Sequence, residues 1–432
     1  MSVGLVTIVG LLVLSICGVP IFLALGTATL AAMALGGMPL IVIPQQTFAG
    51  INSTAMLAIP FFMLAGNIMS RSITMKLVDV SNALFGWVKG SLAVVTVVAS
   101  ALFGAISGSA TATCSAIGGM TIPAMKKEGY SDSFAAATAS MASILGPMIP
   151  PSITLIVYAS ATETSISALF QATVIPGVLL ALFLVGYSLW YGKKKDLPSR
   201  PKQNAQQIFR TFRSSIWALL MPVIILGGIF GGIFTATEAA AVSVIYALLI
   251  SLFVYRDMSW KEILPSMAEA GVSAAAIMIL VGVSKSSSYV ITTSGLPAAV
   301  LDLFANLTDN KYIILLLVNL LFLVIGMLME ANAAVVMMTP LLRPLMLSLG
   351  LSDIHFCMMM CVNLYIGLMT PPVGVCLLLG NQIAGARLER TLKDALPMLG
   401  LGLIVLLLVT YVPARVDSLR VRQLISRCRF QP

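Results

Sequence analysis

Charge is what this sequence has least of. Of its 432 residues only 9% are Asp, Glu, Lys or Arg, against 59% hydrophobic. No ordinary soluble domain has that balance. Histidine occurs once, at His355, which argues against a histidine-based metal centre or catalytic triad. The six cysteines, at 17, 114, 357, 361, 376 and 428, include no CxxC pair. Cys357 and Cys361 share a helix face, but no other ligand-type residues cluster beside them, so they read as a buried pair. No nucleophile–base pairing stands out, which makes a membrane enzyme or assembly scaffold the weakest reading. The apolar runs are long and do not alternate, which excludes a transmembrane barrel. No basic stretch precedes the first apolar run, MSVGLVTIVGLLVL, so it reads as a retained first helix and not a cleaved signal. The net charge of +9 sits mostly in short connections, and reads as membrane topology and not as nucleic-acid binding.

What is present is apolar length. At ~20 residues per crossing the chain holds about ten to twelve spanning or re-entrant segments. The expected fold is an all-α polytopic membrane protein. Within one long apolar stretch stands Gly146-Pro147-Met148-Ile149-Pro150-Pro151-Ser152. Proline has no N–H, so Pro150 leaves the carbonyl of Gly146 without its helical donor, and Pro151 leaves that of Pro147. Ile149, before a proline, is pushed out of the α region. Two half-helices joined by an unwound segment are predicted, with bare carbonyls that must be buried or bonded to something such as a sodium ion. The device recurs at Gly367-Leu368-Met369-Thr370-Pro371-Pro372-Val373-Gly374. At one fixed offset Pro123 matches Pro344, Gly129 matches Gly350, Ser131-Asp132 matches Ser352-Asp353 and Gly146 matches Gly367. Two breaks at corresponding positions of two halves are the best sequence pointer to a transporter binding site.

The first repeat is placed at 1–192, a basic cytoplasmic linker at 193–213 and the second repeat at 214–413. In the first, 44–52 reads as a loop, and a span over 55–69 is broken early by Pro60. The stretch 75–87 is amphipathic and suits the membrane interface. A re-entrant hairpin, 92–127, turns at Ser107-Gly108-Ser109 with Lys89 and Lys126-Lys127 at its feet. The broken helix 134–161 follows. In the second, arms over 313–347 flank Met329-Glu330-Ala331-Asn332, and a second broken helix covers 354–382. Counting crossings from the linker puts the first hairpin's feet inside and the second's outside, an inverted repeat. The same count puts the end of the chain outside, where the tail 414–432 carries five arginines against the positive-inside rule.

Two sites follow. At the first, Ser107 and Ser109 face the carbonyls of Gly146 and Ile149, a set of oxygens suited to a small hard cation. Small residues there would equally serve close helix packing. The second is the repeat counterpart, with Gly326, Glu330, Asn332, Gly367, Thr370 and Pro372. Glu330 is an acid in an apolar arm, functional by default; it joins a cation site or pairs with Arg343. The half-helix N-termini and the hydroxyl-rich tips, Thr111 among them, suit a carboxylate solute. Thr235 to Glu238 reads as a capping box. Asp132 and Asp353 read as caps at helix starts. Glu163 reads as solvated, and Lys285 either faces a solute anion or snorkels.

The strings GAISGSATAT, LGPMIPPSITLIVYAS, GGIFGGIFTATEAAAVSVIYA and IGLMTPPVGVCLLL resemble the large membrane subunit, DctM type, of tripartite ATP-independent periplasmic (TRAP) transporters, over roughly 1–413. The resemblance implies an elevator-type secondary transporter of the bacterial inner membrane, with sodium as coupling ion and no other cofactor. It implies a four-helix small membrane subunit, a periplasmic solute-binding protein and a small organic acid: a C4-dicarboxylate, sialic acid or keto-sugar acid. It places one sodium site on Ser107, Ser109, Gly146, Ile149 and Pro151, and another on Gly326, Gly367, Thr370 and Pro372; Glu330 matches a position that is usually acidic. No small-subunit-like extension precedes the first helix, so that partner is expected as a separate chain. The Arg-rich tail is unlike the usual ending. The alternative is a stand-alone sodium-coupled anion carrier.

Overall fold

The structure, a computed structural model, describes residues 3–199 and 201–412. The basic tail 414–432, with Cys428, lies outside the described residues. All regular structure among the described residues is helical. Among the described residues, eight helices are long and apolar enough to cross a membrane, and six shorter apolar helices accompany them. The chain is a multi-pass membrane protein.

The first hairpin runs up through Ser91–Ser107 and back through 110–127. Gly108 makes the turn in the left-handed region, φ 62°, where a side chain would be strained. A five-residue π stretch, Cys114–Gly118, interrupts the returning arm. The first broken helix follows: Asp132–Ser143 and Leu145–Met148, then extended backbone at Ile149 and Ser152, then Ile153–Thr162. The second hairpin has arms Lys311–Leu328 and Ala331–Ser348, with Met329 and Glu330 extended between them. The second broken helix is Asp353–Gly367, resuming at Val375–Ala384. The Pro150–Pro151 and Pro371–Pro372 bonds are both cis.

These four elements interlock. Asp132–Ser143 packs against Ser91–Ser107 of the first hairpin and Val375–Ala384 of the second broken helix; Ile153–Thr162 packs against Ala331–Ser348 of the second hairpin. The stretch Asp132–Thr162 is almost wholly buried, whereas most other long helices leave more than half of their residues outward-facing. Those faces carry large apolar side chains such as Leu182, Val223, Ile245 and Val272, a surface for lipid and not water.

A second group forms a wall beside the hairpins. Its long member is the helix Trp260–Thr293, which packs on Ile21–Leu35, Val42–Ile51 and Ala58–Ser72, and on its other side against Ala331–Ser348. Thr47 and Ser286 hydroxyls meet at 2.9 Å, and Thr29 and Ser287 at 2.6 Å. Ion pairs mark one end of the molecule. Lys89, at the foot of the first hairpin, pairs with Asp196 of the linker and holds its carboxyl below the usual aspartate range. Lys126 at the other foot reaches Asp132 at 3.3 Å, and Arg71 reaches Glu269 at 2.8 Å.

Four expectations change. The stretch 44–52 is helical, Val42–Ile51, and not a loop. Pro44 falls in its first turn, where a missing N–H breaks no helical bond. Pro60 likewise sits in the first turn of Ala58–Ser72, so it begins that helix instead of breaking it. The caps at Asp132 and Asp353 belong to the preceding serines: Ser131 Oγ accepts from Phe134 N and Ser352 Oγ from His355 N, both at 3.2 Å. Leu296–Leu307 is a helix the sequence did not announce. The helices Ile166–Lys194 and Ala205–Phe230 reach into the span 193–213, leaving 195–204 between them. The Thr235–Glu238 capping box is present, and Cys357 and Cys361 are buried with their sulfurs 3.8 Å apart.

Candidate functional site

The first hairpin tip meets the first break through glycine. A Cβ placed on Gly146 would lie 2.6 Å from both Ser109 O and Thr113 Oγ1; one on Gly108 would lie 2.5 Å from Pro151 O; one on Gly104 would lie 2.7 Å from Gly146 Cα. Backbone therefore touches backbone. Oxygens collect at this contact. Ser107 Oγ stands 3.2 Å from Thr113 Oγ1, and Thr113 Oγ1 donates to Ser109 O at 2.7 Å. The carbonyl of Gly146 has no helical donor, since residue 150 is proline.

Ser107, Ser109, Gly146 and Pro151 thus come together as the sequence suggested, with one change of role. The Ser109 hydroxyl faces Thr111 Oγ1 at 3.2 Å and accepts from Ala112 N at 3.4 Å, so it is the Ser109 carbonyl that faces Gly146. The Ile149 side chain packs the other way, onto Gly177. Thr113 belongs to the cluster and was missed. Its signal was available: it lies one helical turn after Ser109, on the same face.

At the second break, Gly326 and Gly367 approach as closely: a Cβ on Gly367 would lie 2.5–2.8 Å from the backbone of Gly326. Met327 O accepts from Val373 N at 3.2 Å, tying the arm to the break. The Thr370 hydroxyl turns back to its own helix, to Ile366 O at 3.0 Å, and Pro372 is exposed. No cluster of three or more His, Cys, Asp or Glu occurs among the described residues, so a transition-metal centre has no ligand set there.

Glu330 does not pair with Arg343. Arg343 forms a two-point pair with Asp353, Nε to Oδ1 at 2.6 Å and Nη2 to Oδ2 at 2.9 Å. Glu330 ends the extended tip and is exposed to a cavity, where Asn332 Nδ2 donates to its Oε1 at 2.5 Å. It precedes the apolar arm and is not within it.

That cavity, about 350 Å³, brings both tips and both breaks together. Ser109 and Thr111 enter it from the first hairpin, Glu330 and Asn332 from the second, Pro147 and Ile153 from the first break, and Leu368 and Val375 from the second. Ser273 of the wall helix closes one side. Helices beginning at Ala110, Ile153, Ala331 and Val375 all start at its edge, and their N-terminal dipoles favour negative charge there, part of which the Glu330 carboxyl already supplies. Asn332 Oδ1 is buried and accepts no hydrogen bond from a described residue. Tyr365, missed in the sequence, lines the cavity, and its hydroxyl stands 3.2 Å from Ser152 Oγ at the opposite break. An adjoining cavity of about 510 Å³ shares Ser109, Thr111 and Ser273 and extends past Asn67 and Ser70 toward the Arg71–Glu269 end.

Two interlocked hairpins and broken helices around a shared cavity that carries Ser109, Thr111, Glu330 and Asn332, in a body otherwise apolar, define a helical membrane transporter. The family model for the tripartite ATP-independent periplasmic transporter, DctM component, matches residues 8–415, and the chain belongs to that family. The chain is 40% identical over 402 residues to the isethionate TRAP transporter permease protein DctMQ of Oleidesulfovibrio alaskensis, covering 92% of this chain but 63% of that one. It is 40% identical to the C4-dicarboxylate TRAP transporter large permease protein DctM of Pseudomonas aeruginosa, over 83% and 84% of the two chains. It is 36% identical to the sialic acid TRAP transporter large permease protein SiaM of Vibrio cholerae, over 85% and 87%. In fold it is similar to the YdaH transporter of Alcanivorax borkumensis, with a TM-score of 0.63 over 87% of this chain and 88% of that one, at 13% identity.

Proposed function

We propose that the chain is the membrane-embedded large permease subunit of a sodium-coupled, binding-protein-dependent secondary transporter that imports a small organic acid. The observation that carries this reading is the single cavity at which both tips, both breaks and four helix N-termini meet. The N-termini attract the solute carboxylate.

Sodium would be held where Ser107, Thr113 and the carbonyls of Ser109, Gly146 and Pro151 converge, a donor set of neutral oxygens that fits a hard monovalent cation. A second ion would lie by Gly326 and Gly367. On this reading the hairpins and broken helices of the two inverted repeats move together as an elevator against the wall. A small four-helix membrane subunit and a periplasmic binding protein complete the assembly in the bacterial inner membrane. The solute class is extended from relatives whose names carry isethionate, C4-dicarboxylate and sialic acid, all organic acids.

The test is uptake by proteoliposomes under an inward sodium gradient, with this chain alone and with its genomically adjacent small subunit and binding protein. Uptake that needs all three and the gradient is expected. Equal uptake by the chain alone would instead establish a stand-alone carrier, and uptake indifferent to sodium would refute the coupling.

A further inference from the structure

The wall helix Trp260–Thr293 lines three cavities in succession. Ala270 and Ser273 border the first, Ser273, Ala276 and Ile277 the second, between the tips, and Val281, Ser284, Lys285, Ser288 and Thr292 the third. At 1.5 Å per residue Lys285 stands about 18 Å beyond Ser273. The third cavity, about 430 Å³, therefore lies toward the end of the molecule opposite the Arg71–Glu269 and Lys89–Asp196 pairs. It belongs to neither hairpin tip nor helix break.

The charged groups in its lining, Lys285 and Arg343, are of one sign. Lys285 is half-buried, and no ion-pair partner lies within reach of it among the described residues. A lysine half-removed from water with no counter-ion is unusual unless an anion visits it. Arg343 faces the same space from the second hairpin. Its Nε and Nη2 are taken by Asp353, which leaves the Nη1 edge of the guanidinium fork free for another acceptor. Asp353 and, at longer range, the exposed Glu163 offset the arginine charge. Lys285 remains the unbalanced cation. Ser288 lies one turn on along the same face, and its Oγ makes no hydrogen bond to a described residue.

We propose that this cavity is an anion-capture site on the outward side of the permease, in which Lys285, with the free edge of Arg343 and the hydroxyl of Ser288, receives the solute carboxylate before it reaches the site between the tips. The proposal rests on the reading of the chain as an organic-acid permease. It adds to that reading a second site, away from both tips and between the wall helix and the returning arm of the second hairpin.

The experiment reads local anion preference, not transport. Ser288→Cys is introduced with Cys17→Ser and Cys428→Ser; the remaining cysteines are buried. Right-side-out membrane vesicles are treated with two impermeant methanethiosulfonates, one bearing a sulfonate and one a trimethylammonium. Their modification rates are each normalised to a free thiol in solution. A unit positive charge within several ångströms predicts about a tenfold preference for the anionic reagent, lost in Lys285→Gln and kept in Lys285→Arg. A preference unchanged by Lys285→Gln would overturn the proposal. So would failure of both Ser288→Cys and a second reporter, Thr292→Cys, to react from the outer face. Proteoliposomes of phosphatidylcholine and of phosphatidylglycerol separate solute from lipid. A preference that survives in both supports a solute site, and one abolished by the anionic lipid assigns the cavity to a headgroup. Because no uptake is measured, these outcomes stand apart from success or failure of the sodium-gradient assay.

Discussion

Gly146→Ala is the sharpest perturbation of the first proposed cation site. The added methyl would sit 2.6 Å from Ser109 O and from Thr113 Oγ1, and 3.0 Å from Ser109 C. Ordinary contact between such atoms needs nearer 3.5 Å, so the tip must retreat by roughly 1 Å. Overpacking of this kind costs about 1–3 kcal/mol, which a protein of this size tolerates. A hard cation does not tolerate the retreat, because its oxygen ligands lie within a few tenths of an ångström of one distance. The half-saturating sodium concentration for uptake is expected to rise at least about tenfold, equivalent to ~1.4 kcal/mol of binding. Gly119→Ala is the matched control. It lies on the returning arm of the same hairpin, where an added Cβ meets nothing within 4 Å, and alanine favours the helix there. Thr113→Val is the second arm: it removes one oxygen, adds no bulk, and is expected to weaken sodium in the same direction. The assay is uptake in proteoliposomes across a sodium series, with size-exclusion profile and thermal midpoint as checks on folding. A folded Gly146→Ala and a folded Thr113→Val that both keep the parental sodium curve would refute the assignment.

Two further predictions concern the second break and the link between breaks. Gly367→Ala, whose Cβ would lie 2.5–2.8 Å from the Gly326 backbone, should damage uptake more than Gly326→Ala, whose nearest contacts are 3.1–3.2 Å; the reverse order of uptake rates would show that this contact does not set the second tip. Ser152→Ala and Tyr365→Phe remove the two ends of one buried 3.2 Å hydrogen bond, so a double-mutant cycle on thermal stability should give a coupling of about 0.5–1.5 kcal/mol, and simple additivity would mean the bond is not formed.

The helix breaks were legible because proline and glycine act through backbone chemistry that needs no context. Pro150 and Pro371 lack a donor wherever they sit, and Gly108 admits the left-handed backbone that a tight turn needs. The same rule applied too widely misread Pro60, since a proline in a first turn removes nothing the helix uses, and polarity taken alone misread 44–52 as a loop. Polar partners were legible less well. Arg343 had two acids in view, Glu330 and Asp353, and only the fold shows that the bend after Ser348 brings Asp353 to it. Tyr365 was not singled out, because its partner, Ser152, is far away in sequence. Leu296–Leu307 was missed because it begins with Gly295-Leu296-Pro297, a pattern that signals a turn as readily as a helix start.

Ser109 joins the two proposed sites. Its carbonyl faces Gly146 and accepts from Thr113, on the cation side; its hydroxyl meets Thr111 at the rim of the solute cavity. On the proposed reading, a cation drawn to the carbonyl side would pull the tip onto the break, and the same movement would set the hydroxyl and the N-terminus at Ala110 against the solute. Neither site can then fill without biasing the other, which is what coupling means in free-energy terms, and the bias is reciprocal. A saturating solute should tighten sodium by the factor by which saturating sodium tightens the solute. An apolar hairpin with almost no charge of its own can carry that linkage, because the groups that move are backbone oxygens and helix ends held in place by glycine contacts.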